Sequence, residues 1–258
     1  MKKTVLSFSL LALLTSVSSQ ADTLLGLYAG AQGWNMQTSG GFSEDGNNGN
    51  FNFEDEAKSN IYIAFEHPVP VIPNIKLQRT EMDTLGDVTL DTNFTFGDEL
   101  FSLSTTVSTD VQLTATDIIL YYELFDNDLV SFDFGINAKY IEGEFLVTSE
   151  DDPSRVGREE FSGAVPMLYS RVALGVPFTG FGAYVEGSYL SIDDNTVSDY
   201  QAVITYSLME NLALDVTFQV GYRVVAVELE DIGDIKELNN IYSDLEFKGP
   251  FAGIEVHF

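Results

Sequence analysis

The chain has 258 residues, with 40 acidic against 12 basic ones and a formal net charge of −28 at pH 7. That balance excludes nucleic acid as a partner, since phosphate binding draws on Lys and Arg. The lack of Cys excludes disulfide and thiol chemistry. With 45% hydrophobic and 12% aromatic residues, the sequence is that of a folded chain of single-domain length, not a disordered one.

Met1-Lys2-Lys3 is a short basic head, and Val5 to Val17 is an apolar stretch softened by Ser and Thr. Ser19-Gln20-Ala21 supplies small residues at the last and third-last positions before a cut. Residues 1–21 are therefore expected to be a secretory signal peptide, cleaved after Ala21, with 22–258 as one domain. No other apolar run approaches the length of a membrane-crossing helix.

A first strand is predicted over Thr23 to Met36, followed by a long Gly/Asn/Ser loop from Thr38 to Asn52. Ser59 to Glu66 alternates Ile61, Ile63 and Phe65 with Asn60, Tyr62, Ala64 and Glu66, the two-residue period of a strand with one dry side. The Pro-stiffened stretch His67 to Asn74 is a tight connection, because three prolines do not fit a central strand. From Ile75 a third strand places Ile75, Leu77, Arg79 and Glu81 on one face. An Arg on a lipid face costs about 2–4 kcal/mol at the midplane, so either a bulge or a place near the rim is required. Residues 84–110 are rich in Thr, Asp and Ser and read as a hairpin extending above a membrane.

Val111 to Leu124 alternates Ile118, Leu120, Tyr122 and Leu124 with Asp117, Ile119, Tyr121 and Glu123. After the turn Phe125-Asp126-Asn127-Asp128, Val130 to Tyr140 sets Phe132, Phe134, Ile136, Ala138 and Tyr140 against Asp133, Gly135, Asn137 and Lys139. A polar loop is expected over Thr148 to Glu160. Ala164 to Leu174 places Leu168, Val172 and Leu174 opposite Tyr169 and Arg171. Strands follow at Phe181 to Tyr189, Asp199 to Leu208 and Leu212 to Val224, joined by Asp193-Asp194-Asn195 and Met209-Glu210-Asn211. An acidic loop spans roughly Glu228 to Asp244. The last strand ends Pro250-Phe251-Ala252-Gly253-Ile254-Glu255-Val256-His257-Phe258, apolar at alternate positions to its final aromatic residue.

Long polar loops thus alternate with tight turns, and both termini fall at the tight-turn end. This predicts an all-β fold: a closed antiparallel transmembrane β-barrel of about ten strands, with eight or twelve as alternatives, short periplasmic turns and long extracellular loops. Closure leaves no sheet edge open in the bilayer. Trp34, Phe132, Tyr140, Tyr189, Tyr200, Tyr206 and Tyr222 are expected in aromatic girdles. Eight residues from Phe132 to Tyr140 climb roughly 20 Å, close to the apolar band of such barrels.

The signal peptide, the alternating strands and the terminal Ile254-Glu255-Val256-His257-Phe258 resemble the small Gram-negative outer-membrane β-barrels of the OmpA-like and OmpW-like kind. The run from Phe65 through His67-Pro68-Val69-Pro70-Val71-Ile72-Pro73 to Leu77 also resembles a family of outer-membrane barrels of about this length. The resemblance implies an outer-membrane location and contact with outer-membrane lipids and lipopolysaccharide. It further implies that Ala252, Ile254, Val256 and Phe258 act as the signal read by the barrel assembly machinery. It names no ligand.

The face opposite lipid would be the lumen, holding Glu66, Asp117, Glu123, Asp133, Lys139, Arg171, Glu186, Asp199, Asp215 and Arg223. Tyr62, Tyr121, Tyr169 and Tyr184 would add bulk. Ten strands make a narrow barrel, and buried charges need partners, so a plugging polar network is expected; the alternative is a narrow cation-preferring channel lined by acids. Catalysis is not expected, since the only histidines, His67 and His257, fall on the periplasmic side. No cofactor is expected. The acidic runs Glu54-Asp55-Glu56, Glu150-Asp151-Asp152 and Glu228-Leu229-Glu230-Asp231 match no calcium loop; they read as solvated loop charge, with divalent bridging to lipopolysaccharide phosphates as a looser role. Two function classes remain: a structural or surface-interaction barrel, with a partner that no motif names, and a small channel.

Overall fold

The computed structural model describes residues 25–44, 49–127, 129–209, 214–229 and 242–258. The expected signal peptide, the turn following Met209 and most of the acidic loop after Glu228 lie outside them. The described residues form fifteen strands: β1 (Gly26–Ser43), β2 (Gly49–Asn50), β3 (Asn52–Phe53), β4 (Glu56–Glu66), β5 (Asn74–Glu81), β6 (Thr84–Thr89), β7 (Phe94–Phe96), β8 (Glu99–Phe101), β9 (Thr106–Asp126), β10 (Val130–Ser149), β11 (Val156–Gly175), β12 (Phe181–Ile192), β13 (Asn195–Met209), β14 (Asp215–Leu229) and β15 (Tyr242–His257).

Ten of them close into an antiparallel barrel, in the order β1, β4, β5, β9, β10, β11, β12, β13, β14 and β15, with β15 pairing back onto β1. Strand β6 carries on from β5 along the same edge of β9. Short connections at residues 67–73, 127–129 and 176–180 lie at one end, the turn end, with the start of β1 and the finish of β15. The longer excursions lie at the other, the loop end.

Along β10 the chemistry of the two faces exchanges part-way up. Near the turn end, Phe134, Ile136 and Tyr140 are exposed on the outer face, while Asp133, Asn137 and Lys139 are buried within. Toward the loop end, the same outer face carries Glu142, Glu144 and Thr148, and the inner face carries buried Phe145 and Val147. Strand β15 repeats this: outer Ile254, Ala252 and Pro250 give way to Lys248, Glu246 and Asp244, and inner Glu255 gives way to buried Phe251, Phe247 and Leu245. The lower storey is therefore polar inside and apolar outside, as a bilayer requires. The upper storey is apolar inside and polar outside, as water requires. The belt of exposed Ile61, Ile63, Phe65, Leu77, Ile118, Ile136, Leu168, Val185, Ile204 and Val220 is the transmembrane surface.

The two storeys explain where the loops differ from expectation. The stretches 38–52 and 148–160 are largely strand, because β1 runs to Ser43, β10 to Ser149, and β11 begins at Val156. The stretch 84–110 does not simply extend outward. After β6 it folds back as the β7–β8 hairpin, which buries Phe94, Phe96 and Phe101 in the upper storey. Arg79 does face outward without a bulge. Its neighbours in register are Ile61 and Thr116, and Thr116 pairs with Tyr140. That is the upper rim of the belt, where an Arg costs only about 0–1 kcal/mol.

Trp34 is not part of a girdle. It shares a face of β1 with buried Gln32 and Met36, so it points inward and is only 2% exposed. Its indole N–H donates to the Gly249 carbonyl at 3.1 Å. The β1–β15 ladder is interrupted there, between the pairs Trp34↔Phe251 and Gln37↔Lys248. Pro250 has no N–H to offer the ladder, and the indole bond braces the seam from inside. Tyr140, Tyr189, Tyr200, Tyr206 and Tyr222 are exposed on the outer face, and Phe132 is half-buried.

Candidate functional site

The interior of the lower storey is a continuous web of ion pairs and hydrogen bonds. Lys139 Nζ lies 2.7 Å from Asp117 and 2.9 Å from Asp199. Arg223 grips Asp199 with two parallel bonds, Nε to Oδ1 at 2.9 Å and a terminal nitrogen to Oδ2 at 2.7 Å. The paired fork is the strong arrangement for a guanidinium and a carboxylate. Lys76 bonds Glu186 at 2.7 Å, and Tyr169 and Gln201 donate to the same carboxylate. Arg171 lies between Asp133 at 3.4 Å and Glu186 at 3.8 Å, with its guanidinium over the Tyr184 ring. These ion pairs join four carboxylates to four cations, and Glu255 is a fifth carboxylate, reached through the Tyr62 hydroxyl.

Neutral groups complete the web. Asn60 donates to Gln32, Gln32 to Gln219, Gln219 to the Tyr62 hydroxyl, and that hydroxyl to Glu255 at 2.6 Å. Asn137 donates to Asp117 and Ser188, and Arg223 to the Thr80 hydroxyl. These bonds bridge opposite walls of the barrel, as from Lys76 of β5 to Glu186 of β12 and from Arg223 of β14 to Thr80 of β5. Charges this deep persist only with partners, and removing one costs about 3–5 kcal/mol.

Of the lumen residues expected from sequence, Asp117, Asp133, Lys139, Arg171, Glu186, Asp199 and Arg223 meet in the web. Glu66 lies nearer the turn end and accepts from Tyr121 at 2.7 Å. Two lie at the turn-end mouth, outside the web. Glu123 is exposed at the turn-end mouth, beside the register shift where β10 slips against β9 between Phe132 and Asp133. Asp215 stands at the turn-end rim, 3.5 Å from His257, because β14 begins with it. Lys76, Gln32, Gln201, Gln219 and Glu255 join the web unanticipated. The signal for Lys76 was present: with Ile75, Leu77 and Arg79 outward, it must point inward.

Above the web, Phe42, Phe51, Phe94, Phe96, Phe101, Phe145 and Phe247 form a buried cluster with Met36, Val107 and Val147. Phe42 is central, with ring centroids 4.4 Å from Phe145, 4.8 Å from Phe51 and 5.0 Å from Phe96. The hairpin reaches this cluster only because Gly157 of β11 lets it approach. A Cβ on Gly157 would stand 2.1 Å from the Phe96 carbonyl oxygen. Gly97, at φ 58°, turns the hairpin and donates its N–H to Glu44 at 2.8 Å. At the turn end a cavity of about 730 Å³ opens among the turns, bounded by Ser131, Ala173, Gly182, Thr205 and Ser207.

The acidic loop residues are locally engaged. Asp152 accepts two bonds from Ser154, which hold its carboxyl below the ordinary range, and Asp55 accepts from Gln37. Among the described residues no group of three acidic or histidine side chains is arranged to hold a metal ion. Residues 230 and 231 of the third acidic run lie outside them.

No family model matches the chain, and no curated protein matches it. Several solved structures show loose similarity to the chain. The transport unit of the autotransporter AIDA-I from Escherichia coli is 7% identical with a TM-score of 0.40, over 96% of this chain and 95% of that one. The Pseudomonas putida toluene transporter TodX is 6% identical with a TM-score of 0.31, over 92% and 90%. A Pseudomonas aeruginosa FadL homologue is 7% identical with a TM-score of 0.29, over 91% and 89%.

Proposed function

We propose that this chain is an outer-membrane barrel of structural or surface-interaction type, whose lumen is closed to solutes. The turn end would face the periplasm, and the upper storey would stand outside the cell as its contact surface. The supporting observation is the double filling of the interior: an ion-paired web in the lower storey and an aromatic cluster with an inserted hairpin above it. Either layer alone obstructs a ten-stranded barrel. The polar outer face of the upper storey, rich in Glu and Asp, suits a solvated platform that meets lipopolysaccharide sugars and a surface partner.

The reading is non-enzymatic. His257 is stacked on Tyr28, and His67 lies in the turn between β4 and β5. The end of β15 supports a role in biogenesis. Phe258 exchanges both backbone bonds with Leu27, and Ile254 and Phe258 are exposed on the lipid side. An apolar, alternating segment of this kind is what the barrel assembly machinery would read before closure.

Recording in planar bilayers tests the proposal. The closed-lumen reading expects no sustained conductance from the folded protein. Steady cation-preferring steps would establish the narrow-channel alternative instead.

A further inference from the structure

Eight Lys and Arg side chains of the described residues lie in strands, and seven of them face a carboxylate. Lys58, Lys76, Lys139, Arg158, Arg171, Arg223 and Lys248 all form ion pairs. Arg79 does not. In a chain with 40 acidic residues, its one hydrogen-bond partner is the Thr116 hydroxyl at 3.4 Å. The nearest acid along its own face, Glu81, is engaged by the Ser59 hydroxyl at 3.0 Å. Arg79 also points outward, at the upper rim of the belt. Exposed Ile61 pairs with it in register, and below it on the same outer face lie exposed Ile63, Leu77 and Ile118. Level with it and above it stand Ser59, Thr114, Thr116 and Tyr140.

This is the profile of an amphiphile's own boundary. Apolar side chains line the depth of acyl chains, and an unpaired guanidinium with neighbouring hydroxyls lies at headgroup depth. A long cationic side chain at a membrane edge lifts its charge toward the interface, and a guanidinium matches the fork of phosphate oxygens. Resting on the outer-membrane reading above, we propose that Arg79, with Thr116 beside it, holds a phosphate of the phosphorylated glycolipid of the outer leaflet, whose acyl chain lies along Ile61, Leu77 and Ile118.

The test uses the full mature protein folded in detergent, with the loss of the fast-migrating form on unheated gels as its melting readout. Four additions are compared: none, lipopolysaccharide, the same lipopolysaccharide with its lipid phosphates removed, and phosphatidylglycerol. Lipopolysaccharide should raise the wild-type midpoint by about 2–4 °C, and dephosphorylation should abolish the rise. Arg79→Ala and the milder Arg79→Gln should lose the rise, while Lys248→Ala should keep it. An equal rise in either Arg79 variant overturns the site. An equal rise with phosphatidylglycerol overturns the choice of lipid. Both outcomes are independent of conductance, so failure here and failure of the closed-lumen reading are distinguishable.

Discussion

The lower and upper storeys are built from the same strands and solve opposite problems. On β10, Ile136, which is 58% exposed on the outer face, stands four positions before Tyr140, and Glu142 comes next on that face. On the inner face Lys139 is followed within six residues by Phe145, which is 2% exposed. The backbone does not change; only the solvent outside does. Where lipid surrounds the barrel, polar groups have nowhere to go but inward, and they must find one another there. Where water surrounds it, the interior reverts to an ordinary apolar core. The stability of the lower storey should therefore be electrostatic in origin, and that of the upper storey should come from packing.

Substitutions can break that contrast. Lys139→Met leaves Asp117 without a cation and Asp199 with Arg223 alone, and the loss should be about 3–5 kcal/mol, the range for a broken buried pair. Guanidinium titration, followed by the fast-migrating form on gels, reads it; a loss under about 1 kcal/mol would mean the web adds little to stability. In the upper storey Phe145→Ala should lose about 3 kcal/mol through its cavity, and the charge-neutral change should be insensitive to salt. The outer faces sharpen the contrast further. Ile136→Lys should cost about 2–4 kcal/mol in a bilayer, whereas Glu142→Lys, higher on the same face, should stay within about 0.5 kcal/mol of wild type. The smallest destabilisation among the inward-facing sites is expected at the junction. Trp34→Phe keeps the ring but removes the bond to Gly249, for about 1 kcal/mol; an unchanged midpoint would show that the seam at Pro250 needs no brace.

The lower storey was legible in the sequence because its alternation is conspicuous: Ile61, Ile63 and Phe65, or Phe134, Ile136 and Ala138, stand out against polar neighbours. The upper storey was not, because its alternation runs in the opposite sense. Residues 142–149 keep the two-residue period, but with Glu142 and Glu144 outward and Phe145 and Val147 inward. A search for apolar residues on the lipid side stops at Tyr140 and leaves residues 141–147 unassigned before the loop expected from Thr148. The same habit misplaced Trp34, although its parity with Gln32 fixes it as an inner residue. The pairings within the lumen were beyond reach of the sequence, since Lys76 meets Glu186 across 110 positions and only the barrel's register brings them together. The hairpin was equally hidden: Thr, Asp and Ser between residues 84 and 110 mask three phenylalanines that belong to the core.

The exchange of faces is open to a direct measurement, because the chain contains no Cys and single cysteines can be introduced without background. An environment-sensitive fluorophore placed in turn at residues 134, 136, 142, 144 and 148 of the folded protein in bilayers reports whether each site meets lipid or water. The expected result is quenching by lipid-borne quenchers at 134 and 136, and by aqueous iodide at 142, 144 and 148, with the change falling at Tyr140. Uniform access to iodide along all five positions would contradict the two-storey barrel.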